Sequence, residues 1–222
     1  SWAEACEALG VPGRERGRAP ELNGVCTDTR SLEPGALFFA LRGPRFDGHD
    51  YLSEAMHRGA AGVVVDSAVE LSAEVPASAV LGVDDPQTAL GCLGAYLRSR
   101  WNGHLVAVTG SFGKTTTKEI LGRVLGDPED VLVSPGTENN AIGVPRVLAR
   151  LQPTHRFAVV EMGTSSPGEI AYLTDLAEPD VAVITGVGAA HLEGLIDLDG
   201  VAREKAAILE GGGADRIAVL NG

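Results

Sequence analysis

The stretch His104–Leu125 constrains the fold of this chain more than any other part of the sequence. It begins with the short apolar run Leu105–Val108, which predicts a buried strand. The segment TGSFG then interrupts this run with two glycines, and Lys114–Leu125 has the pattern of a helix. A strand, a glycine-rich turn and a helix N-terminus together favour phosphate binding, because backbone N–H groups and the helix dipole both attract an anion there.

The loop is a shortened variant, G-x-x-G-K-T-T, of the general phosphate-loop pattern. Val108 occupies the position at which the general pattern has its first glycine. In such a loop we expect Lys114 to reach the terminal phosphates and the Thr115 hydroxyl to bind Mg²⁺. A Gly-Lys-Thr sequence can occur by chance in a chain with 29 glycines, but its position between a strand and a helix favours phosphate binding.

The order of the other elements predicts an α/β protein in two parts. Residues 1–83 contain short strand-like and helical runs that indicate a small α/β domain, and residues 84–103 predict a bridging helix that begins at Pro86. In residues 104–222 strands and helices alternate, which predicts a mostly parallel sheet with helices on both faces. The strands are expected at 105–109, 131–133, 157–161, 181–184 and 216–220, and the helices at about 114–125, 143–151, 167–177 and 199–210.

The first part has its own predicted elements. Trp2–Leu9 and Tyr51–Arg58 predict two helices, and Asp50 is in the position of an N-cap for the second. Ala61–Val65 and Ala79–Val83 predict strands.

Ligands of a parallel sheet bind where its strands end, so the residues just past each strand are the candidates for chemistry. Glu161 directly follows the apolar run Phe157–Val160, and a carboxylate beside a phosphate loop can bind Mg²⁺. A solvated acid at the strand end is the alternative. His191 lies in a loop of small residues after the next strand, but a single histidine is more often structural than functional.

Two further segments remain open to more than one interpretation. Asn139 and Asn140 precede an apolar helix, where their amides either cap that helix or hydrogen-bond phosphate and metal-bound water. Lys205 lies in a predicted helix, and nothing near it in the sequence distinguishes it from a solvated surface lysine.

Charge and cysteine content exclude some classes of partner. The net charge of −12 argues against a nucleic-acid partner, because binding to a phosphate backbone requires a basic face. No apolar run approaches the ~18 residues of a membrane span and no signal peptide is visible, so no membrane partner is expected. Cys6, Cys26 and Cys92 are isolated, which predicts reduced thiols in a cytoplasmic protein. Since the chain opens on Ser1 and stops just after a strand-like run, we expect it to be a fragment.

Six segments follow one another along nearly the whole chain: TDTRSLEPGALFFALRGPRFDGHDY, TGSFGKTT, TENNAIGVP, VVEMG, AAHLEG and VAREKAAIL. Taken together, they resemble the Mur ligases, the ATP-dependent amide-forming enzymes of peptidoglycan synthesis. So many motifs in one order are far more specific than the phosphate loop alone. Within the family, NNAIGVP and the spacing from HLEG to EKAAI resemble the members that add D-alanyl-D-alanine.

The resemblance implies a ligase of three domains. Residues 1–83 match the domain that binds the UDP end of the substrate, and residues 104–222 match the beginning of the ATP-binding domain. The implied substrates are ATP, UDP-N-acetylmuramoyl-tripeptide and D-alanyl-D-alanine, which react through an acyl phosphate in the cytoplasm. We expect a monomer, and we expect the isolated fragment to be inactive because it lacks the amine-binding domain and most adenine contacts.

The resemblance also implies site residues. Lys114, His191 and Lys205 match catalytic positions. Thr115 and Glu161 match ligands of a first Mg²⁺ and His191 a ligand of a second, while Lys205 matches a position that is carbamylated and so presents a metal-binding anion. ATP is implied at Gly110, Ser111, Phe112, Gly113, Lys114, Thr115, Thr116, Asn139 and Asn140, and the UDP-linked substrate at Asp28, Thr29, Arg30, Ser31 and His49.

Three residues depart from the family pattern. Phe112 stands where Asn or Ser is common, Thr164 where Asn often follows the Glu-Met-Gly run, and Gly186 where Asn is common. The closest alternatives are the family member that adds the third amino acid and the folylpolyglutamate-type ligases, although the latter begin near the phosphate loop. A P-loop kinase or GTPase and a nucleotide-binding module without catalysis are the alternatives from other classes.

Overall fold

The structure, a computed structural model, describes residues 1–12, 21–188, 197–211 and 216–221. The chain divides into two compact units, Ser1–Leu93 and Gly94–Gly222. Each unit contains its own parallel sheet with helices, which confirms the predicted α/β fold class. No helix among the described residues is long and apolar enough to cross a membrane.

The first unit is built on a four-stranded parallel sheet with the strand order β1-β2-β5-β6. Its elements are α1 (Trp2–Leu9), β1 (Val25–Cys26), β2 (Leu37–Phe39), β3 (Arg42–Gly43), β4 (Phe46–Asp47), α2 (Leu52–His57), β5 (Gly62–Asp66) and β6 (Val80–Val83). Strands β3 and β4 form a separate antiparallel pair. Phe38, Val63 and Val65 lie in a buried apolar cluster, as expected for central strands of a parallel sheet.

The helix predicted from Tyr51 begins differently from the expectation. A short 3₁₀ helix, Gly48–Tyr51, precedes α2, and the Asp47 carboxylate caps it by accepting a 3.0 Å hydrogen bond from the His49 N–H. The prediction that Asp50 caps the helix is therefore wrong. The chain turns three residues earlier than the apolar pattern indicates, because Asp47 takes the capping role.

Helix α3 (Pro86–Ser99) begins at a proline, as predicted. The Asp85 carboxylate precedes it and accepts hydrogen bonds from the N–H groups of Gln87 (3.3 Å) and Thr88 (2.9 Å). The division between the two compact units falls within this helix.

The second unit contains a five-stranded parallel sheet with the order β11-β10-β7-β9-β8. Its elements are β7 (His104–Thr109), α4 (Lys114–Leu125), β8 (Val131–Val133), α5 (Gly143–Leu148), β9 (Phe157–Glu161), α6 (Glu169–Ala177), β10 (Val181–Ile184), α7 (Leu198–Ala206) and β11 (Ile217–Leu220). The predicted strands are all present, each within one residue of its predicted bounds. Helices α5 and α7 are shorter than predicted, since α5 ends at Leu148 and α7 continues only as the 3₁₀ helix Ala207–Leu209.

Alternate side chains of the central strand β7 enter two different cores. Leu105 and Ala107 join a buried cluster with residues of α5 and α6, whereas Val106 and Val108 join a cluster to which α4 contributes. Helices therefore cover both faces of the sheet, as predicted. Val108 pairs in register with Glu161, so the phosphate loop and the end of β9 lie side by side.

Candidate nucleotide and metal site

The loop between β7 and α4 is held by the segment that follows β10. The Ser111 N–H donates a 2.8 Å hydrogen bond to the Gly186 carbonyl, and the Thr185 hydroxyl lies 2.5 Å from the Phe112 carbonyl oxygen. Gly110 has a φ of 150°, and a Cβ at this position would lie 2.0 Å from Thr185 Oγ1. Only glycine fits that close approach, so the loop geometry depends on it.

Gly113 and Lys114 form the start of α4. Gly113 is the N-cap residue with a φ of 77°, a conformation that glycine adopts without strain. The Lys114 ammonium bends back and donates a 2.7 Å hydrogen bond to the Gly110 carbonyl. The positive charge of Lys114 therefore lies over the loop, beside the helix N-terminus, which suits an anion.

Glu161 ends β9 as a buried carboxylate with only 2% of its surface exposed. The Thr115 hydroxyl donates a 2.9 Å hydrogen bond to Oε2, and the Asn139 amide donates a 2.8 Å hydrogen bond to Oε1. The backbone N–H of Glu161 donates to the Ser134 hydroxyl at 2.8 Å, which fixes the end of the strand. The interpretation of Glu161 as a solvated acid is wrong, because this carboxylate is enclosed by donors.

Lys118 also lies beside the Glu161 carboxylate, although the sequence analysis did not single it out. It lies one helical turn after Lys114, is completely buried, and its Nζ is 3.7 Å from Glu161 Oε2. The same ammonium donates a 2.9 Å hydrogen bond to the Gly136 carbonyl. The available signal was its spacing, since residues four apart share one face of a helix.

The two asparagines have different roles in the structure. Asn139 donates to Glu161, whereas the Asn140 side chain accepts hydrogen bonds from the N–H groups of Ile142 (3.1 Å) and Gly143 (2.9 Å). Asn140 therefore caps the start of α5, and Asn139 is one of the donors to the Glu161 carboxylate. The helix-capping interpretation is therefore confirmed for Asn140, and a contact of Asn139 with phosphate or metal-bound water stays a prediction.

Lys205 on α7 is buried, with 2% of its surface exposed, so its interpretation as a solvated surface lysine is wrong. Burial lowers the pKa of its ammonium to about 8, and the positive charge of Lys114 acts in the same direction, while the Glu204 carboxylate opposes both. Lys205, Lys114, Asn139 and Asn140 all line one cavity of about 330 Å³ at the carboxyl end of the sheet. The fold thus brings together residues that are far apart in the sequence.

Glu204 determines how α7 meets α6. Its buried carboxylate accepts hydrogen bonds from the N–H groups of Gly168 (2.7 Å) and Ile170 (2.8 Å), and from the Thr164 hydroxyl at 3.2 Å. The carboxylate therefore caps the N-terminus of α6 from another helix, where negative charge is favourable. Because Lys205 is the next residue, this contact also fixes the part of α7 that carries it.

The first unit has a separate cavity of about 360 Å³. Asp28, Thr29 and Arg30 line it together with Phe46 and Tyr51. Ser31 and His49, which were predicted to act with these residues, are not among those that line it.

Both ring nitrogens of His49 make hydrogen bonds within the first unit. Its Nε2 accepts a 3.0 Å hydrogen bond from the Asp66 N–H, so its Nδ1 carries the proton and donates to the Asp47 carboxylate at 2.5 Å. His49 ties a loop to the end of β5.

Thr115 and Glu161 fit a hard divalent cation, because a hydroxyl and a carboxylate are the oxygen ligands that Mg²⁺ prefers. The described residues contain no group of three or more His, Cys, Asp or Glu side chains placed for a metal. These two residues therefore suit a metal that takes its other ligands from phosphate oxygens and water, as is usual at phosphate loops. His191 lies outside the described residues.

The sequence model of the Mur ligase middle domain matches residues 108–222, and that of the Mur ligase family catalytic domain matches residues 21–96. The chain belongs to the Mur ligase family. It is 40% identical over 209 residues to the UDP-N-acetylmuramoyl-tripeptide--D-alanyl-D-alanine ligase of Escherichia coli (strain K12), an alignment that covers 94% of this chain and 45% of that protein.

Solved Mur ligase structures have the same fold as this chain. A crystal structure of MurF from Acinetobacter baumannii matches with a TM-score of 0.87 and 34% identity over 99% of this chain and 48% of its own. The MurF ligase of Thermotoga maritima, in complex with ADP, matches with a TM-score of 0.79 and 32% identity over 92% of this chain and 47% of its own. The chain spans about half the length of the relatives it matches.

Two of the departures from the Mur ligase pattern contact each other. The Phe112 ring is 58% exposed and lies against Gly186, where a Cβ would be 2.5 Å from the ring. An asparagine at residue 186 would therefore displace the aromatic ring, so Phe112 and Gly186 fit as a pair. The third departure, Thr164, is the residue whose hydroxyl donates to Glu204.

Proposed function

We propose that the protein carrying this chain is an ATP-dependent ligase that joins D-alanyl-D-alanine to UDP-N-acetylmuramoyl-tripeptide in peptidoglycan precursor synthesis. The observation that carries this proposal is the convergence of Lys114, Thr115, Glu161 and Lys205 at one end of the second sheet. A phosphate loop alone would fit many nucleotide-binding proteins. A buried lysine on a distant helix, lining the same cavity, is not expected of a simple P-loop kinase.

The two units have different parts in this proposal. Residues 1–83 bind the UDP end of the substrate, and the cavity lined by Asp28, Thr29 and Arg30 supports this role. Residues 104–222 bind ATP, and residues 84–103 connect the two. The relatives named above, of which the chain spans about half, support the choice of D-alanyl-D-alanine as the incoming amine.

The chemistry begins with transfer of the γ-phosphoryl group to the terminal carboxylate of the tripeptide. A carboxylate oxygen forms the new bond to phosphorus as the bond to ADP breaks, which gives an acyl phosphate. The neutral amine of D-alanyl-D-alanine then attacks the carbonyl carbon and phosphate leaves. The nitrogen that forms the new bond releases one proton to water and becomes the amide nitrogen. Because anions must approach one another in the first step, charge neutralisation and positioning dominate its catalysis.

The residues of the second unit suit these tasks. Lys114 and the loop N–H groups hold the phosphates, and Thr115 and Glu161 would hold the first Mg²⁺. Bound Mg²⁺ would offset the negative charge that the phosphates and the carboxylate bring together. His191 is proposed for a second Mg²⁺.

Lys205 is proposed to act as its carbamate, with a binding role beside the second Mg²⁺. The ammonium first loses a proton, and the resulting neutral amine attacks the carbon of CO₂ and releases a second proton, so that an anion replaces the cation. The lowered pKa of the Lys205 ammonium supports this, because only a neutral amine reacts with CO₂. A free ammonium at this position would instead repel a nearby metal ion.

Three free cysteines, two of them buried, agree with a reducing compartment, and we propose a cytoplasmic monomer. The test of the function uses the protein encoded by the complete reading frame, with ATP, Mg²⁺, UDP-N-acetylmuramoyl-tripeptide and D-alanyl-D-alanine. We expect phosphate release together with a product whose mass is that of the amide, and we expect Lys114→Ala to abolish both. If an amide forms instead from the UDP-linked substrate that carries two amino acids and a single free amino acid, the protein is the family member that adds the third amino acid. Absence of phosphate release with either pair would contradict the proposal.

A further inference from the structure

Lysine is rare in this chain and confined to one place. The sequence contains fifteen arginines but only three lysines, which are Lys114, Lys118 and Lys205. Lys114 and Lys205 line the candidate site cavity, and Lys118 lies against Glu161. Arginine and lysine differ in size, planarity and hydration, so a position that keeps lysine in such a chain points to a need for the compact ammonium.

The surroundings of Lys118 show what that ammonium does. Its side chain is completely buried, and its Nζ lies 2.9 Å from the Gly136 carbonyl, 3.5 Å from Glu119 Oε1 and 3.7 Å from Glu161 Oε2. The Glu119 side chain is 55% exposed, so water screens it, whereas Glu161 is as buried as the lysine. A buried charge requires a partner of opposite sign. The Lys118 ammonium and the Glu161 carboxylate are such partners for each other.

Among the described residues, the other side chains that hydrogen-bond the Glu161 carboxylate carry no charge. Thr115 and Asn139 donate to its two oxygens as neutral groups. Within the part of the chain that the structure describes, Lys118 is therefore the charged side chain that pairs with this carboxylate. A Mg²⁺ ion arriving alone would add two positive charges to a group that is already neutralised, and Lys118 would repel it. Mg²⁺ arriving with nucleotide phosphates would bring its own compensating negative charge.

We propose that Lys118 is the internal counter-ion of Glu161, a positioning residue that keeps the carboxylate ordered without metal and opposes binding of Mg²⁺ in the absence of nucleotide. The proposal rests on the proposed function insofar as it takes Glu161 as the Mg²⁺ ligand. It adds an order to the loading of the site, in which metal enters together with the phosphates.

The first test measures how Mg²⁺ alone, without nucleotide, raises the unfolding temperature of the protein, for wild type and for Lys118→Met. Methionine keeps much of the side-chain length and removes the charge. We expect the apparent affinity for Mg²⁺ to become about tenfold or more tighter in Lys118→Met, because the repulsion between like charges is lost. Arg123→Met removes one exposed cation from the same helix and should leave the affinity for Mg²⁺ unchanged. If Lys118 had only a structural role, Lys118→Met would lower the stability equally with and without Mg²⁺, and the affinity for Mg²⁺ would not change. An unchanged or weaker affinity in Lys118→Met would therefore overturn the proposal.

The second test needs neither metal nor nucleotide. We expect Lys118→Met to unfold at a lower temperature than wild type, and the double variant Lys118→Met/Glu161→Gln to recover part of the loss, because it no longer contains an unpaired buried carboxylate. If Lys118→Met does not fold, folding of the double variant supports the proposal. A double variant that is no more stable than Lys118→Met, or that also fails to fold, contradicts it. Failure of the wild-type protein to bind ATP with Mg²⁺ would count against the proposed function. The comparison of unfolding temperatures between Lys118→Met and the double variant would still test the ion pair of Lys118 and Glu161.

Discussion

The Thr115 hydroxyl donates a 2.9 Å hydrogen bond to Glu161 Oε2, although the two residues are 46 positions apart in the chain. The contact joins the first turn of α4 to the end of β9. It follows from the parallel register of the sheet, in which Val108 pairs with Glu161. Two oxygen-bearing side chains of the kind that Mg²⁺ prefers are thus already adjacent.

Glu161→Ala should shift the Mg²⁺ dependence of phosphate release to higher concentrations and lower kcat by on the order of 100-fold or more, because it removes the carboxylate that is proposed to bind Mg²⁺. Steady-state kinetics over a series of Mg²⁺ concentrations would measure both effects. Glu119→Ala is the matched control, since it removes an exposed carboxylate from the same neighbourhood. Wild-type Mg²⁺ dependence in Glu161→Ala would leave the residue with a structural role only.

Lys205→Ala should lose most activity, about 100-fold or more, and formate or acetate should restore part of it by occupying the space of the proposed carbamate. Lys205→Arg should stay inactive with the same acids, because its bulk and charge remain. The measurement is amide formation with and without the acid, in buffer of defined CO₂ content. Normal turnover of Lys205→Ala in CO₂-depleted buffer would rule out the carbamate.

The lowered pKa of Lys205 predicts a dependence of stability on pH. An unfolded lysine titrates near 10.4, whereas the buried ammonium titrates at about 8, so the unfolded chain binds more protons between these values. Stability must therefore rise with pH across this window, by about 3 kcal/mol from this group.

Lys205→Met tests the assignment. The variant carries no buried charge at residue 205, so it should exceed wild type in free energy of unfolding at pH 7, and the difference should disappear towards pH 10.5. Denaturant unfolding at several pH values, without metal or nucleotide, would measure it. A difference that stays constant over this range would show that Lys205 is not the group that titrates.

Glu204→Gln should lower the free energy of unfolding by about 1–3 kcal/mol, because one carboxylate oxygen that accepts a backbone hydrogen bond becomes an amide that cannot. Asp199→Asn removes a charge from the exposed first turn of the same helix and should cost far less. Denaturant unfolding of both variants is the measurement. Equal costs would mean that Glu204 contributes only a general electrostatic effect at the end of the helix.

Patterns confined to a few neighbouring residues were predictable from the sequence. The strand, the glycine turn and the helix of His104–Leu125 are encoded within one stretch, and the parallel sheet follows from the regular alternation of elements. The rule that ligands bind where parallel strands end was enough to select Glu161. The cap of the helix predicted from Tyr51 was wrong because a 3₁₀ helix capped by Asp47 precedes α2, and the apolar pattern of the sequence does not show where that short helix begins.

Burial and pairing of distant side chains were decided by the tertiary structure alone. Lys205 has the local sequence of a surface lysine, and it is buried because Glu204 anchors α7 to the start of α6. Lys118 likewise becomes a counter-ion only when β9 brings Glu161 to α4. Local sequence fixes backbone preference and hydrophobic period, whereas the environment of a charge depends on which elements pack around it. The sequence by itself therefore determined the fold and the phosphate loop, and the packing of α4, α6, α7 and β9 determined which charged side chains are buried and which of them are paired.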